Sequence, residues 1–206
     1  MEDISKKEKR KNMNKSEIID AAEKLFFSKG YSNSTMDEIA KEAGFTKRTL
    51  YSYFTSKEEM YEKIVERGYI ILNKLFLEVL NKKKNSSEIF KIRALGYSFL
   101  EFEAENRGYF KAIFESEYSY VGSEELEQTI IELLQNCIRE GIRKGEIIDT
   151  VDEASISLIL WSTLMGFVTT FIRKEAYIKD HFKKEVKDVI ENGLDFILNS
   201  IKAHGK

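Results

Sequence analysis

The run from Thr35 to Lys57 constrains the fold most, because helix starts and one forced turn follow each other there almost without a gap. Thr35 with Glu38 three residues on reads as a capping box, in which hydroxyl and carboxylate satisfy backbone donors at a helix start. Ile39 and Ala40 supply the apolar face of that helix, and Gly44 ends it by entering the left-handed region that bends the chain sharply. Phe45 is expected to be buried beside the bend. Thr46 is placed to cap a second helix whose first turn carries the donors Lys47, Arg48 and Thr49, while Leu50 and Phe54 repeat at helical spacing. Ser56 with Glu59 is a further capping box, so a third helix opens at once with Lys57 in its first turn. A cation there opposes the helix dipole by up to about 1 kcal/mol, and an anionic neighbour, naturally a phosphate, is therefore expected.

This pattern reads as a helix-turn-helix, whose first helix braces while the second presents its amino-terminal side chains to the major groove. The residues Ala21-Ala22, Leu25-Phe26, Gly30-Tyr31, Thr35, Ile39-Ala40, Ala43-Gly44, Thr49-Leu50-Tyr51, Phe54 and Ser56-Lys57 carry a resemblance. Together, from Ser16 to Lys57, they resemble the DNA-binding module of the TetR family of repressors. Where members usually have a small residue such as glycine, this chain has Arg48. Position by position, the resemblance implies that Thr35, Thr49, Tyr51, Tyr53 and Lys57 clamp phosphates, contacts that position a protein without reading sequence. Thr46 and Lys47 stand at the groove-facing end, and Ser52 is expected to add a base contact. Arg48 is the candidate for a bidentate contact to guanine, the alternative being a phosphate.

The remaining chain points to an all-α fold: a three-helix amino-terminal module followed by a carboxy-terminal helical domain for ligand binding and dimerisation. There is no proline, and helical periodicity runs throughout. The division expected is 1–57 for the DNA-binding module with a basic arm, and 58–206 for the effector and dimerisation domain. Charge follows it: up to Lys57 there are 12 Lys and Arg against 9 Asp and Glu, and beyond it 21 against 26. Residues 1–14, with Lys6, Lys7, Lys9, Arg10 and Lys11, are expected to be a mobile arm, either a solvated tail or an arm that lies along phosphates or reaches a minor groove. A first helix follows over Ser16 to Lys29.

The helix from Lys57 to about Asn81 would be roughly 37 Å long, enough to join two bodies. Lys82 to Ser87 reads as an exposed turn. Further helices are expected over Glu88 to Asn106, Tyr109 to Glu115 and Glu124 to Gly145, with a loop over Ser116 to Ser123. Two last helices, about 152–173 and 181–202, are more apolar than one buried face requires, and the expectation is a homodimer joined through this pair as a four-helix bundle.

One cysteine and two histidines exclude a disulfide and make no metal cluster, so neither metal nor cofactor is expected. With no catalytic constellation the chain is not expected to be an enzyme. No apolar leader core is seen and no membrane span is expected, which places the protein in the cytoplasm. Aromatic residues crowd the second domain; Tyr97, Phe99, Phe102, Phe114, Tyr118, Cys137, Trp161 and Met165 are the candidate lining of a pocket for an apolar or flat ligand. Acids among them, Glu101, Glu103, Glu105, Glu115 and Glu117, are expected mostly on solvated helix faces. The function expected is a dimeric, ligand-responsive transcriptional regulator, most simply a repressor that its ligand releases from an inverted repeat in double-stranded DNA. The alternative is a DNA-binding regulator controlled by a protein partner.

Overall fold

The computed structural model describes residues 2–116 and 124–203, among which ten α-helices, one π-helical segment and no strand are found. The helices are α1 (Glu2–Lys29), α2 (Met36–Glu42), α3 (Lys47–Tyr51), α4 (Lys57–Lys82), α5 (Glu88–Glu105), α6 (Arg107–Phe114), α7 (Glu124–Arg143), α8 (Glu153–Gly166), α9 (Glu175–Phe182) and α10 (Val186–Ser200). They form two compact units, one from Met1–Tyr69 and Gly108–Ser123, the other from Ile70–Arg107 and Glu124–Lys206.

The first unit is built on local signals. Thr35 and Glu38 form the reciprocal capping box that starts α2. At its end Phe45 N–H donates to Ala40 O and Gly44 N–H to Lys41 O, the pattern that closes a helix over a left-handed residue, with Gly44 at φ +73°. Thr46 caps α3 by accepting from Thr49 N–H at 3.1 Å. Ile18, Ala22, Ile39, Leu50, Met60 and Ile64 fill the core, and Phe26, Tyr31 and Tyr61 join it as an edge-to-face aromatic cluster. Phe45 is only half-buried.

Two expectations about this unit need correction. The amino-terminal arm is helical: α1 begins at Glu2, well before Ser16, so the polar stretch continues the helix rather than forming a mobile tail. The cap of α4 also differs, because Glu59 takes Thr55 as its partner, accepting from both its N–H (2.7 Å) and its hydroxyl (2.8 Å). Thr55 offers two adjacent donors to one carboxylate.

α6 belongs to this unit as well, so Phe114, expected in the lining of the second domain's pocket, lies here with Tyr109 and Phe110. Gly108 lies against the Phe27 ring, where a Cβ would collide with a ring carbon, and Tyr109 Oη donates to Glu23 Oε2 at 2.6 Å. Arg67 of α4 donates to Asp20 at 2.6 Å and to Glu23 at 3.2 Å, which ties α1, α4 and α6 together.

The second unit packs Leu72, Phe76, Ile92, Leu95, Phe99, Phe102, Ile138, Ile156 and Leu160 into its core. A further cluster joins Phe167, Ile178, Val186, Ile190 and Leu194. Here the expected 152–173 helix is α8 followed by a π turn over Phe167–Ile172, where Phe167 and Phe171 stack at 5.6 Å. The expected single helix over 181–202 is two: α9 ends at Lys183, left-handed at φ +55°, and α10 begins at Val186. Glu103 is buried, contrary to the expected solvated position, and pairs with Arg107 one turn on.

The uncharged run Ala154 to Ile172 is longer than the sequence reading allowed; Glu153–Ile172 is long and apolar enough to cross a membrane, with mean hydropathy 1.7. It is not apolar all round, because Ser162, Thr169 and Thr170 are exposed on it. Ile156, Leu160, Phe167 and Val168 are buried within the unit.

Candidate nucleic-acid interface

Leu50 fixes how α3 sits. It is fully buried, and at 100° per residue its burial turns Lys47, Arg48, Tyr51 and Ser52 onto one outward face, where all four are exposed. Thr46 and Thr49 share a hydroxyl hydrogen bond of 2.8 Å beside that face. The two cations differ in their surroundings. Lys47 Nζ pairs with Asp37 of α2 at 2.7 Å, which raises its pKa, whereas among the described residues no carboxylate pairs with Arg48. The guanidinium on the outer face is thus uncommitted, with a planar fork of donors suited to a base edge or a phosphate.

The residues that the resemblance assigns to phosphate are engaged with the protein to different degrees. Tyr51 is 45% exposed. Tyr53 Oη accepts from Asn14 Nδ2 at 2.9 Å and keeps its own proton to donate. Ser52 Oγ donates to Thr49 O at 2.6 Å. Lys57 is held closely: Nζ donates to Tyr31 O (3.0 Å) and Ser34 O (2.8 Å) and lies 4.4 Å from the centre of the Tyr31 ring. The negative neighbours expected for this cation are therefore carbonyl oxygens and a ring face within the module, which pin the turn leading into α2.

Thr35 is likewise committed, its hydroxyl donating to Glu38 Oε2 at 2.8 Å. Glu38 pairs with Lys29, and this contact, with the two donors of Thr35, lowers its carboxyl to about 2. Its pKa in the folded state lies below the ordinary 4.5, so folding releases the proton and the cap is at full strength above that value. The contribution fades as pH falls towards 2. Acid titration followed by amide exchange in α2 is expected to show this loss, and Glu38→Gln is expected to flatten it.

Sequence reasoning missed Asp37 and Asn14, which are partners rather than recognisable motif members, and it gave Tyr31 no part in holding Lys57. Asp37 was the most accessible of them, as an acid in the first turn of α2.

The candidate ligand residues are only partly brought together. Phe99 and Phe102 are fully buried in the second unit, with Phe99 edge-on to Trp161 at 5.0 Å. Trp161, Met165 and Tyr97 are half-buried in the same unit. Phe114 lies in the first unit beside Phe110 and Tyr69, and Tyr118 falls outside the described residues. Cys137 is 6% exposed; burial, then the charge of Glu88, pushes its thiol up to about 11. It is therefore expected to react with a disulfide reagent at pH 8 only as fast as the unit opens, whereas prompt stoichiometric reaction would show an accessible thiol. Among the described residues no group of three or more His, Cys, Asp or Glu is arranged to hold a metal ion.

Residues 18–64 match the family of bacterial regulatory proteins called tetR. The Staphylococcus aureus negative regulator of the biofilm operon icaADBC, IcaR, is 36% identical over 93 residues, 45% of this chain and 48% of the relative. The Bacillus subtilis regulator YfiR, itself uncharacterised, is 40% identical over 58 residues, 28% of each protein. The chain thus spans about half, or less, of the length of these relatives.

Among solved structures, a Rhodococcus sp. RHA1 protein of unknown function superposes with TM-score 0.76 at 17% identity, covering 92% of this chain and 95% of the other. The Bacillus subtilis transcriptional regulator FadR, in complex with stearoyl-CoA, has TM-score 0.65 at 22% identity, covering 90% of this chain and 98% of the other. These structures share its fold.

Proposed function

We propose that this chain, whose residues 18–64 match the tetR family of bacterial regulatory proteins, is a dimeric, cytoplasmic transcriptional regulator, a repressor that leaves an inverted-repeat operator when a small apolar or aromatic ligand binds. The observation that carries the reading is the outward face of α3, where Lys47, Arg48, Tyr51 and Ser52 stand together over a rigid core. Arg48 reads a base, while Tyr51, Tyr53 and the backbone around Thr35 and Lys57 hold phosphates.

Dimerisation is supported by apolar surface on the last helices. Leu158 is 66% exposed, Ile159 49% and Phe196 76%, which a monomer leaves in water and a four-helix bundle of two copies covers. Two copies place their recognition helices on half-sites about 34–36 Å apart or a multiple of that. A ligand that prefers one arrangement of the second unit's helices shifts that spacing by its differential affinity. Support for an apolar ligand comes from the aromatic content of that unit and from the acyl-CoA held by the structurally similar FadR.

The test is light scattering with duplex binding. Phe196→Glu with Leu158→Glu is expected to give monomers that lose operator affinity, and lipophilic compounds that raise the melting temperature are expected to release DNA. An unchanged dimer would refute the proposed interface. Stabilisation by such compounds without release would refute ligand control of DNA binding.

A further inference from the structure

From Ile18 onward α1 is anchored by its apolar stripe, with Ile18, Ile19, Ala22 and Phe26 all buried. From Glu8 to Glu17 the same helix continues with no buried residue, and only Asn14 is partly covered. A helix without an apolar face gains nothing from tertiary packing, and short helices are marginal by themselves. The residues in line with the buried stripe are informative. Lys11 lies seven positions and Lys15 three positions before Ile18, so the surface that is apolar inside the module becomes cationic beyond it. Between Lys6 and Lys15 there are six cations against one acid.

This extension is fixed next to the recognition helix. Asn14 Nδ2 donates to Tyr53 Oη at 2.9 Å, and Lys15 Nζ lies 5.9 Å from the centre of the Phe54 ring. Tyr53 and Phe54 follow directly after the outward face that carries Tyr51 and Ser52. Among the described residues no carboxylate pairs with Lys9, Arg10 or Lys11, which are all exposed. Among the described residues of the extension Met13 is the one large exposed apolar side chain, at 57%, too little for the apolar centre that a protein partner requires. Cations repeated along successive turns suit a polyanion of regular spacing.

We propose that the amino-terminal extension of α1 is a second DNA contact, in which Lys9, Arg10, Lys11 and Lys15 lie along phosphates flanking each half-site. The inference rests on the reading of the chain as a DNA-binding regulator and adds to it a contact independent of base sequence. It sets affinity and salt dependence, whereas α3 sets specificity.

The experiment compares the full chain with the triple variant Lys9→Ala, Arg10→Ala, Lys11→Ala, by fluorescence anisotropy across a salt series. The duplexes are one selected by the unsubstituted protein from a random pool and a scrambled version of it. Each phosphate contact contributes roughly 0.9 to the slope of log affinity against log salt, so three cations on each of two protomers predict a slope shallower by up to roughly five. Both duplexes should weaken by the same factor and the melting temperature should stay unchanged. Identical slopes and affinities overturn the proposal, and so does a loss confined to the selected duplex, which would mean base reading. If the unsubstituted chain binds no duplex at all, the regulator reading falls with it; if it binds and the variant binds identically, only the role of the extension falls.

Discussion

Truncating Phe99 to alanine is expected to lower the free energy of unfolding by about 3–5 kcal/mol, the range for a large aromatic removed from a packed interior. The ring is 0% exposed and meets Trp161 edge-on, so its loss removes both transfer energy and a specific aromatic contact. Urea denaturation measures this directly, as a lower midpoint at unchanged slope. The same variant separates two roles for this side chain. A ring facing an open effector cavity would leave little new void, and a loss below about 1 kcal/mol would place it on a cavity wall rather than in the core. Phe102, equally buried, is expected to behave like Phe99.

Arg48→Ala is expected to remove about 1–3 kcal/mol of discrimination at one base pair in each half-site, roughly a 5- to 150-fold change in relative affinity there. Affinity for scrambled DNA should fall far less. Lys57→Ala should act differently, because its ammonium holds the carbonyls of Tyr31 and Ser34 that set the entry to α2. Losing it should weaken binding to every sequence by a similar factor and lower the stability of the module as well. Equal losses on all duplexes from both variants would show that Arg48 meets only phosphate.

What could be read from the sequence follows from the range of the forces. The Thr35–Glu38 box, the Gly44 turn and the Thr46 cap join residues at most five positions apart, so residue types and spacing determine them. The outward placement of Arg48 followed from Leu50, because the two share a short helix. Contacts between distant segments could not be read this way. α6 joins the first unit through Tyr109 and Glu23, 86 residues apart, and through a glycine that fits against Phe27.

The end of α9 was hidden for a different reason. Its left-handed residue is Lys183, a type that carries no turn signal, so the apolar pattern before and after it ran together. Glu103 was misread because a buried acid and an exposed one look alike in sequence; its partner Arg107 sits one turn on, the spacing of any surface pair. Lys57 shows the limit of a helix-dipole argument. It called for a negative neighbour and pointed to phosphate, whereas within the module the carbonyls of Tyr31 and Ser34 accept from this ammonium.

The proposed regulator reads duplex DNA as two copies, each through its α3. Selection from a pool of random duplexes, followed by light scattering of the enriched complex, tests it most directly. The predicted result is an inverted repeat with half-sites spaced by one helical turn or a multiple, occupied by protomers in pairs. Enrichment of no sequence, or a complex holding a single protomer on a site without two-fold symmetry, would contradict it.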